Sequence, residues 1–322
     1  MSFFAFVGGY FLTSWFFFRY PHLIHEKKRI PFKCRHISHR GGAGENYENT
    51  MSAFKKSVTL GTDMLELDVH LTKDDMVVVS HDHNLLRSTG DNRNISELNY
   101  SDIPLLKKDL ALDFDPDFVY TGSGIEEERK FPLLSEVFKN FPKFPINIDI
   151  KVNNDRLIQE VSNLIKHYNR ENYTVWGNFD NQITLKCFRE NPNVHLLFSM
   201  TRVIHLVLLF YSGLLPFYPI KETHLEIFLP SVYFRSKMGN SDNVLLKNFM
   251  IKVMDALLLR PALFRHLKKR GIQTYVWVLN YEEEFKRAFD LGVDGVMTDF
   301  PSKLKKFLAE NPQYNSNNVF IE

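Results

Sequence analysis

The sequence predicts an α/β fold, a (β/α)8 barrel over residues 36–310, preceded by an N-terminal membrane anchor helix and carrying a hydrophobic insertion. Three observations lead there. Strand-like and helix-like segments alternate between residues 36 and 310, as in a parallel sheet with helical crossovers. Two of the strand-like segments put charged residues on one face and apolar residues on the other. The first 18 residues hold no charged side chain.

Residues 1–18 come first. As a helix rising about 1.5 Å per residue they would reach roughly 27 Å, close to the thickness of a hydrocarbon core. The run stops at Arg19, and residues 19–35 form a basic juxtamembrane linker with Lys27, Lys28, Arg29, Lys33 and Arg35. A cleaved signal peptide needs a positive leading region and a small-residue cleavage site, and neither is present, so a retained transmembrane anchor is the preferred reading. The positive-inside rule then puts everything after residue 19 on the cytosolic side, with the endoplasmic reticulum or perinuclear membrane as the expected location.

Strand candidates follow at Arg35–His39, Met64–His70, Met76–His81, Ile146–Lys151, Tyr173–Gly177, His195–Ser199, Gln273–Leu279 and Asp294–Thr298. Helix candidates lie between them, three of them closed by Gly61, Gly271 and Gly292. One joint is irregular: Thr72–Asp75 is too short for a crossover helix, so the second and third strands need a local link such as a hairpin. Asp91–Lys130 and residues 201–255 read as insertions, with a loop near Lys237–Asp242, and residues 311–322 read as a tail. Within the second insertion, the apolar run Val203–Ile220 has three readings: a membrane span, an interfacial or re-entrant segment, or a core helix. A span would put the last two strands across the bilayer from the others, which a closed barrel cannot tolerate, so the interfacial reading is preferred.

Composition narrows the function. A net charge of +2 gives nucleic-acid binding no support. Two cysteines, Cys34 and Cys187, make no disulfide scaffold and no CxxC metal motif. The chemistry lies in the two alternating strands. In MLELDVHL, Glu66, Asp68 and His70 share a face; in PINIDIKV, Asn147, Asp149 and Lys151 do. Charges facing a barrel interior are costly unless paired or metal-bound, and active sites of barrels gather at the C-terminal ends of the strands. His39 and His81 each end a strand candidate. Three carboxylates suit a hard cation, Mg2+ or Ca2+. Two histidines supply a general base and a general acid, and Arg40 and Lys151 supply positive charge for a phosphate. Together they describe metal-assisted cleavage of a phosphate ester.

The motifs His39-Arg40-Gly41, Glu48-Asn49-Thr50, Glu66-Leu67-Asp68, His81-Asp82, Asp149-Ile150-Lys151, and Trp277 followed by Gly295–Asp299 resemble, in order and spacing, the signature of the glycerophosphodiester phosphodiesterase family. The resemblance covers residues 36–310, and the N-terminal run and the insertion resemble its membrane-associated lysophospholipase D branch. It implies a distorted TIM barrel, with His39 and His81 as the acid–base pair. Glu66 and Asp68 match the metal carboxylates, Asp149 stands where many members carry Glu, and His81 falls in or near the metal shell. Arg40 and Lys151 match phosphate contacts, Trp277 lies at the mouth, and Asn49, Thr50 and Asp299 fall at supporting positions. The implied substrates are lysophospholipids, or N-acyl glycerophosphoethanolamines, losing choline or ethanolamine to give lysophosphatidic acid, and the expected route is a cyclic phosphate. A soluble-substrate enzyme acting on glycerophosphocholine is the alternative within the family. A membrane-tethered lipid-binding pseudoenzyme is the alternative from another class.

Overall fold

In the computed structural model, residues 2–113, 115, 117–238 and 244–315 are described. Eight parallel strands form the barrel: β1 His36–Ser38, β2 Met64–Leu71, β3 Ile146–Ile150, β4 Thr174–Gly177, β5 His195–Leu196, β6 His224–Phe228, β7 Gln273–Trp277 and β8 Gly295–Thr298. They pair in the order β5-β4-β3-β2-β1-β8-β7-β6. A parallel bridge between Leu197 and His224 joins the two ends. The outward residues of β2 and β3 (Leu65, Leu67, Val69, Ile146, Ile148, Ile150) are fully buried in one core cluster with residues of the helices Leu134–Asn140 and Asp155–His167. That burial fixes the register, because a slip of one residue would turn the carboxylates outward. Gly295 lets β8 approach the chain entering β1, since a Cβ there would sit 2.3 Å from the Cys34 carbonyl oxygen.

Two strand assignments change. Val77–Val79, expected in the third barrel strand, is instead antiparallel to the far end of β2, pairing Val69 with Val79. This is the hairpin that the short Thr72–Asp75 link demands. The eighth barrel strand is β6, His224–Phe228, inside the stretch expected as an insertion. Its five residues stand between an apolar run and Pro230, and the longer hydrophobic signal beside it conceals them.

The apolar run also changes. Val203–Ser212 lies in the crossover helix Met200–Ser212 between β5 and β6, capped by the Ser199 hydroxyl and closed by Gly213 at φ 75°. Val203 and Leu206 are buried while Ile204, Leu208 and Tyr211 are exposed. The N-terminal residues do form a helix, Ser2–Arg19. Among the described residues no helix is long and apolar enough to cross a membrane. Gly8, Gly9, Tyr10, Thr13 and Ser14 dilute its apolar character. Its C-terminal half docks on the barrel. Ser14 Oγ donates to the Gly213 carbonyl at 2.6 Å, and Phe18 stacks on His266 at 4.4 Å. Part of the expected loop near Lys237–Asp242 and the tail from residue 316 lie outside the described residues.

Candidate active site

The interior faces of β2 and β3 meet in two layers, Glu66 beside Asn147 and Asp68 beside Asp149. Above them, β1 runs into a tight turn, His39–Gly41, with Arg40 in the left-handed region at φ 49°. The turn aims the Arg40 N–H at Glu66 Oε2, 2.7 Å away. It also seats His39 against β8, where its Nδ1 lies 2.6 Å from Asp299 Oδ1. Asn280 holds the other oxygen of Asp299 at 2.9 Å. The edge of His39 that carries Nε2 lies 4.0 Å from Glu66. Burial works against a charged His39, but Asp299 outweighs it, and the imidazole stays above the usual histidine range.

His81 arrives by the hairpin. Ser80 N–H donates to the Asp68 carbonyl at 2.9 Å, which brings the next residue over the carboxylates. His81 Nδ1 lies 2.8 Å from Asp82 and 3.6 Å from Asp113. His70, on the same face of β2, is buried with Nε2 3.1 Å from the His81 carbonyl, so it props the turn.

Lys151 Nζ lies 2.8 Å from both Asp68 and Asp149. Asn49 donates to Asp68 at 2.8 Å, and Asn178 to Asp149 at 2.5 Å. Burial opposes ionisation of Asp68, yet Lys151, His81 and Arg40 hold it well below the usual carboxylate range. Glu66 goes the other way: burial, then the Asp68 charge, push it up to about 7. Arg40 differs from expectation. Its guanidinium is buried among Glu48 at 3.2 Å, Asp68 at 3.4 Å and Asp113 at 2.8 Å, so its charge is largely matched before any phosphate arrives.

The eight residues singled out by sequence (His39, Arg40, Glu66, Asp68, His81, Asp149, Lys151 and Trp277) all border one cavity of about 220 Å³. The lining has an apolar part as well: Phe179, Leu197, Phe198, Trp277 and Met297 border the same cavity. Trp277 meets Phe179 edge-on at 5.2 Å and Phe228 at 6.2 Å. Sequence reasoning missed Asp113, Asn178, Glu226 and the aromatic wall. The alternation in HLEIF was a readable signal for Glu226; Asp113 sits in an irregular loop and left none.

Among the described residues no group of three or more His, Cys, Asp and Glu stands ready to hold a metal ion. Lys151 bridges Asp68 and Asp149, the carboxylates a cation would share. The donors still suit a hard cation, because Glu66, Asp68 and Asp149 present carboxylate oxygens from two adjacent strands to one cavity.

Comparison with known proteins agrees with this geometry. Residues 39–303 match the glycerophosphoryl diester phosphodiesterase family. The chain is 54% identical over 304 residues to the lysophospholipase D GDPD1 of Rattus norvegicus, covering 94% of this chain and 95% of that one. It is 39% identical to the human lysophospholipase D GDPD3, covering 94% and 93%. The crystal structure of a glycerophosphodiester phosphodiesterase from Agrobacterium tumefaciens superposes with a TM-score of 0.59 at 18% identity, over 84% of this chain and 99% of that one. That likeness concerns the fold.

Proposed function

This chain belongs to the glycerophosphoryl diester phosphodiesterase family, and we propose that within it the protein is a divalent-metal-dependent lysophospholipase D. The observation that carries the reading is the mixed lining of the cavity, where histidines and carboxylates stand together with the aromatic rings of Phe179, Phe198 and Trp277. At about 220 Å³ it is smaller than the ~300–1,000 Å³ that encloses a drug-sized ligand. A glycerophosphoryl group fills such a space, and an acyl chain must leave along the aromatic wall.

Glu66, Asp68 and Asp149 are the oxygen donors that would hold Mg2+ or Ca2+, and the bound ion would supply Lewis-acid polarisation of the phosphate. The remaining work falls to the protein's own groups. His39, oriented by Asp299, takes the proton of the glycerol hydroxyl next to the phosphate; the carboxylate behind it fixes the tautomer and steadies the imidazolium. The hydroxyl oxygen attacks phosphorus, and the bond to the choline or ethanolamine oxygen breaks. His81, part-exposed at the mouth, gives its proton to that departing oxygen. Water then opens the cyclic phosphate with the two roles reversed, leaving lysophosphatidic acid. Lys151 stands where it can meet the phosphate charge.

The outer surface supports lipid access. The helix Ser2–Arg19 exposes Phe4, Phe6, Phe11, Leu12 and Trp15, the helix Met200–Ser212 exposes Ile204 and Leu208, and the helix Val244–Leu258 exposes Leu245 and Phe249. Apolar exposure on this scale marks a membrane or protein contact. Arg19, Arg265 and Lys269 gather at the docked end of the first helix, suited to the anionic cytosolic leaflet of the endoplasmic reticulum or perinuclear membrane. The protein is then held on the bilayer through this face.

The test is product formation by the full-length protein in detergent. Lysophosphatidylcholine, glycerophosphocholine and diacyl phosphatidylcholine are supplied with chelator, Mg2+ or Ca2+, beside a His39→Ala control. Metal-dependent lysophosphatidic acid, absent in the control, is expected. Turnover of glycerophosphocholine alone would discard the lipid reading, and equal turnover of the diacyl lipid, which lacks the free hydroxyl, would discard the cyclic route.

A further inference from the structure

The floor of the cavity holds two groups that the mechanism above leaves unused. Asn147, on β3, and Glu226, on β6, meet across the barrel interior: Asn147 Nδ2 donates to Glu226 Oε1 at 2.7 Å. Both border the cavity, in the layer beneath Asp68 and Asp149 that also holds Glu66. Asn147 is 2% exposed, and its Oδ1 is buried with no hydrogen-bond partner. An orphaned amide oxygen in a low-dielectric floor is costly, and its chemistry calls for a donor or a cation. Glu66, Asp149 and Glu226 all border the one cavity, so three carboxylates gather around its floor. The upper layer is different, since Lys151 already joins Asp68 to Asp149.

We propose that Glu226 and Asn147 Oδ1 are further oxygen ligands of the divalent cation, which sits on the cavity floor with Glu66. The inference rests on the metal-dependent reading above. It answers a feature of that site: Lys151 already bridges Asp68 and Asp149, whereas Glu226 reaches the cavity floor from β6 and meets Asn147 there. A carboxylate and an amide carbonyl are both ordinary ligands of a hard cation.

The experiment is calorimetric titration of Ca2+, and separately Mn2+, into the full-length detergent-solubilised protein without substrate, with a thermal melt of each variant as the folding control. Glu226→Gln is expected to weaken cation binding by at least about tenfold. Asp149→Glu in that background is expected to recover most of the loss, and Asn147→Asp to bind more tightly than the parent. Unchanged affinity in a folded Glu226→Gln protein overturns the proposal, as does weaker binding by a folded Asn147→Asp protein if Glu226→Gln does not fold. A parent protein that binds neither ion yet turns over substrate in chelator overturns the metal dependence itself, a separate result.

Discussion

Asp299→Asn tests the arrangement most sharply. In the folded protein, Asp299 Oδ1 faces His39 Nδ1 at 2.6 Å and Oδ2 accepts from Asn280 Nδ2 at 2.9 Å. Asn280 Oδ1 in turn accepts from the Asp299 backbone N–H at 3.0 Å, so the Asn280 amide cannot turn without losing that bond. The new asparagine must therefore keep its oxygen toward Asn280 and present its NH2 to His39. His39 Nδ1 then becomes an acceptor and the ring proton moves to Nε2, the wrong tautomer for a base at the cavity. A positioned base contributes roughly 10²–10⁴-fold, so kcat should fall by that factor, about 2.7–5.4 kcal/mol of barrier. KM should change little, because Asp299 does not line the cavity. Choline release from lysophosphatidylcholine at saturation reads kcat, and a thermal melt checks the fold. A folded variant within threefold of the parent would refute the assignment of His39 as an Asp299-oriented base.

Three more outcomes follow from the structure. Lys151→Met strands Asp68, 2% exposed, against the loss of its closest cation; breaking a buried pair costs about 3–5 kcal/mol, with the low end expected because Arg40 and Asn49 remain, and a melt that does not move would count against the bridge. Burial holds His266 down to about 4 where it donates to the Phe18 carbonyl at 2.9 Å. The folded state therefore favours the neutral ring. The stabilisation is complete above about pH 6.5 and is lost as pH falls toward about 4, with a ceiling of about 3 kcal/mol, and melts across that range should show an acid loss that His266→Phe reduces but does not abolish, because burial holds His36 and His70 down to about 4 as well. Replacing Leu208 and Phe249 by Glu should reduce sedimentation with anionic vesicles while glycerophosphocholine turnover stays level; equal sedimentation would refute the surface assignment.

The alternation of MLELDVHL and PINIDIKV was enough to turn the carboxylates of two strands toward the barrel interior, because a charge on an interior face is too costly to stand there without a partner or a cation. The hairpin was also foreseeable, since Thr72–Asp75 cannot hold a crossover. β6 escaped because five residues carry too weak a period beside the long apolar run of Val203–Ile220. Glu226 and the true membership of the barrel went with it. The terminal helix was found, but a count of uncharged residues said nothing of how glycine, serine and tyrosine would dilute it or how Phe18 would dock. Asp299 was placed as a support because nothing local to residues 295–299 shows that β8 lies against β1. That pairing is a long-range fact.

The same pairing has a consequence for synthesis. Both histidines and the carboxylates of β2 lie within residues 39–81, which the hairpin and the β1–β2 pair join in the finished fold, and they leave the ribosome early. Asp299 follows the last barrel strand and reaches His39 only when β8 docks on β1, pairing His36 with Val296. A nascent chain therefore carries its reactive groups for most of its translation without the partner that orients His39, and a phosphodiesterase that would act on membrane lipids lacks its oriented base until its final strand is made.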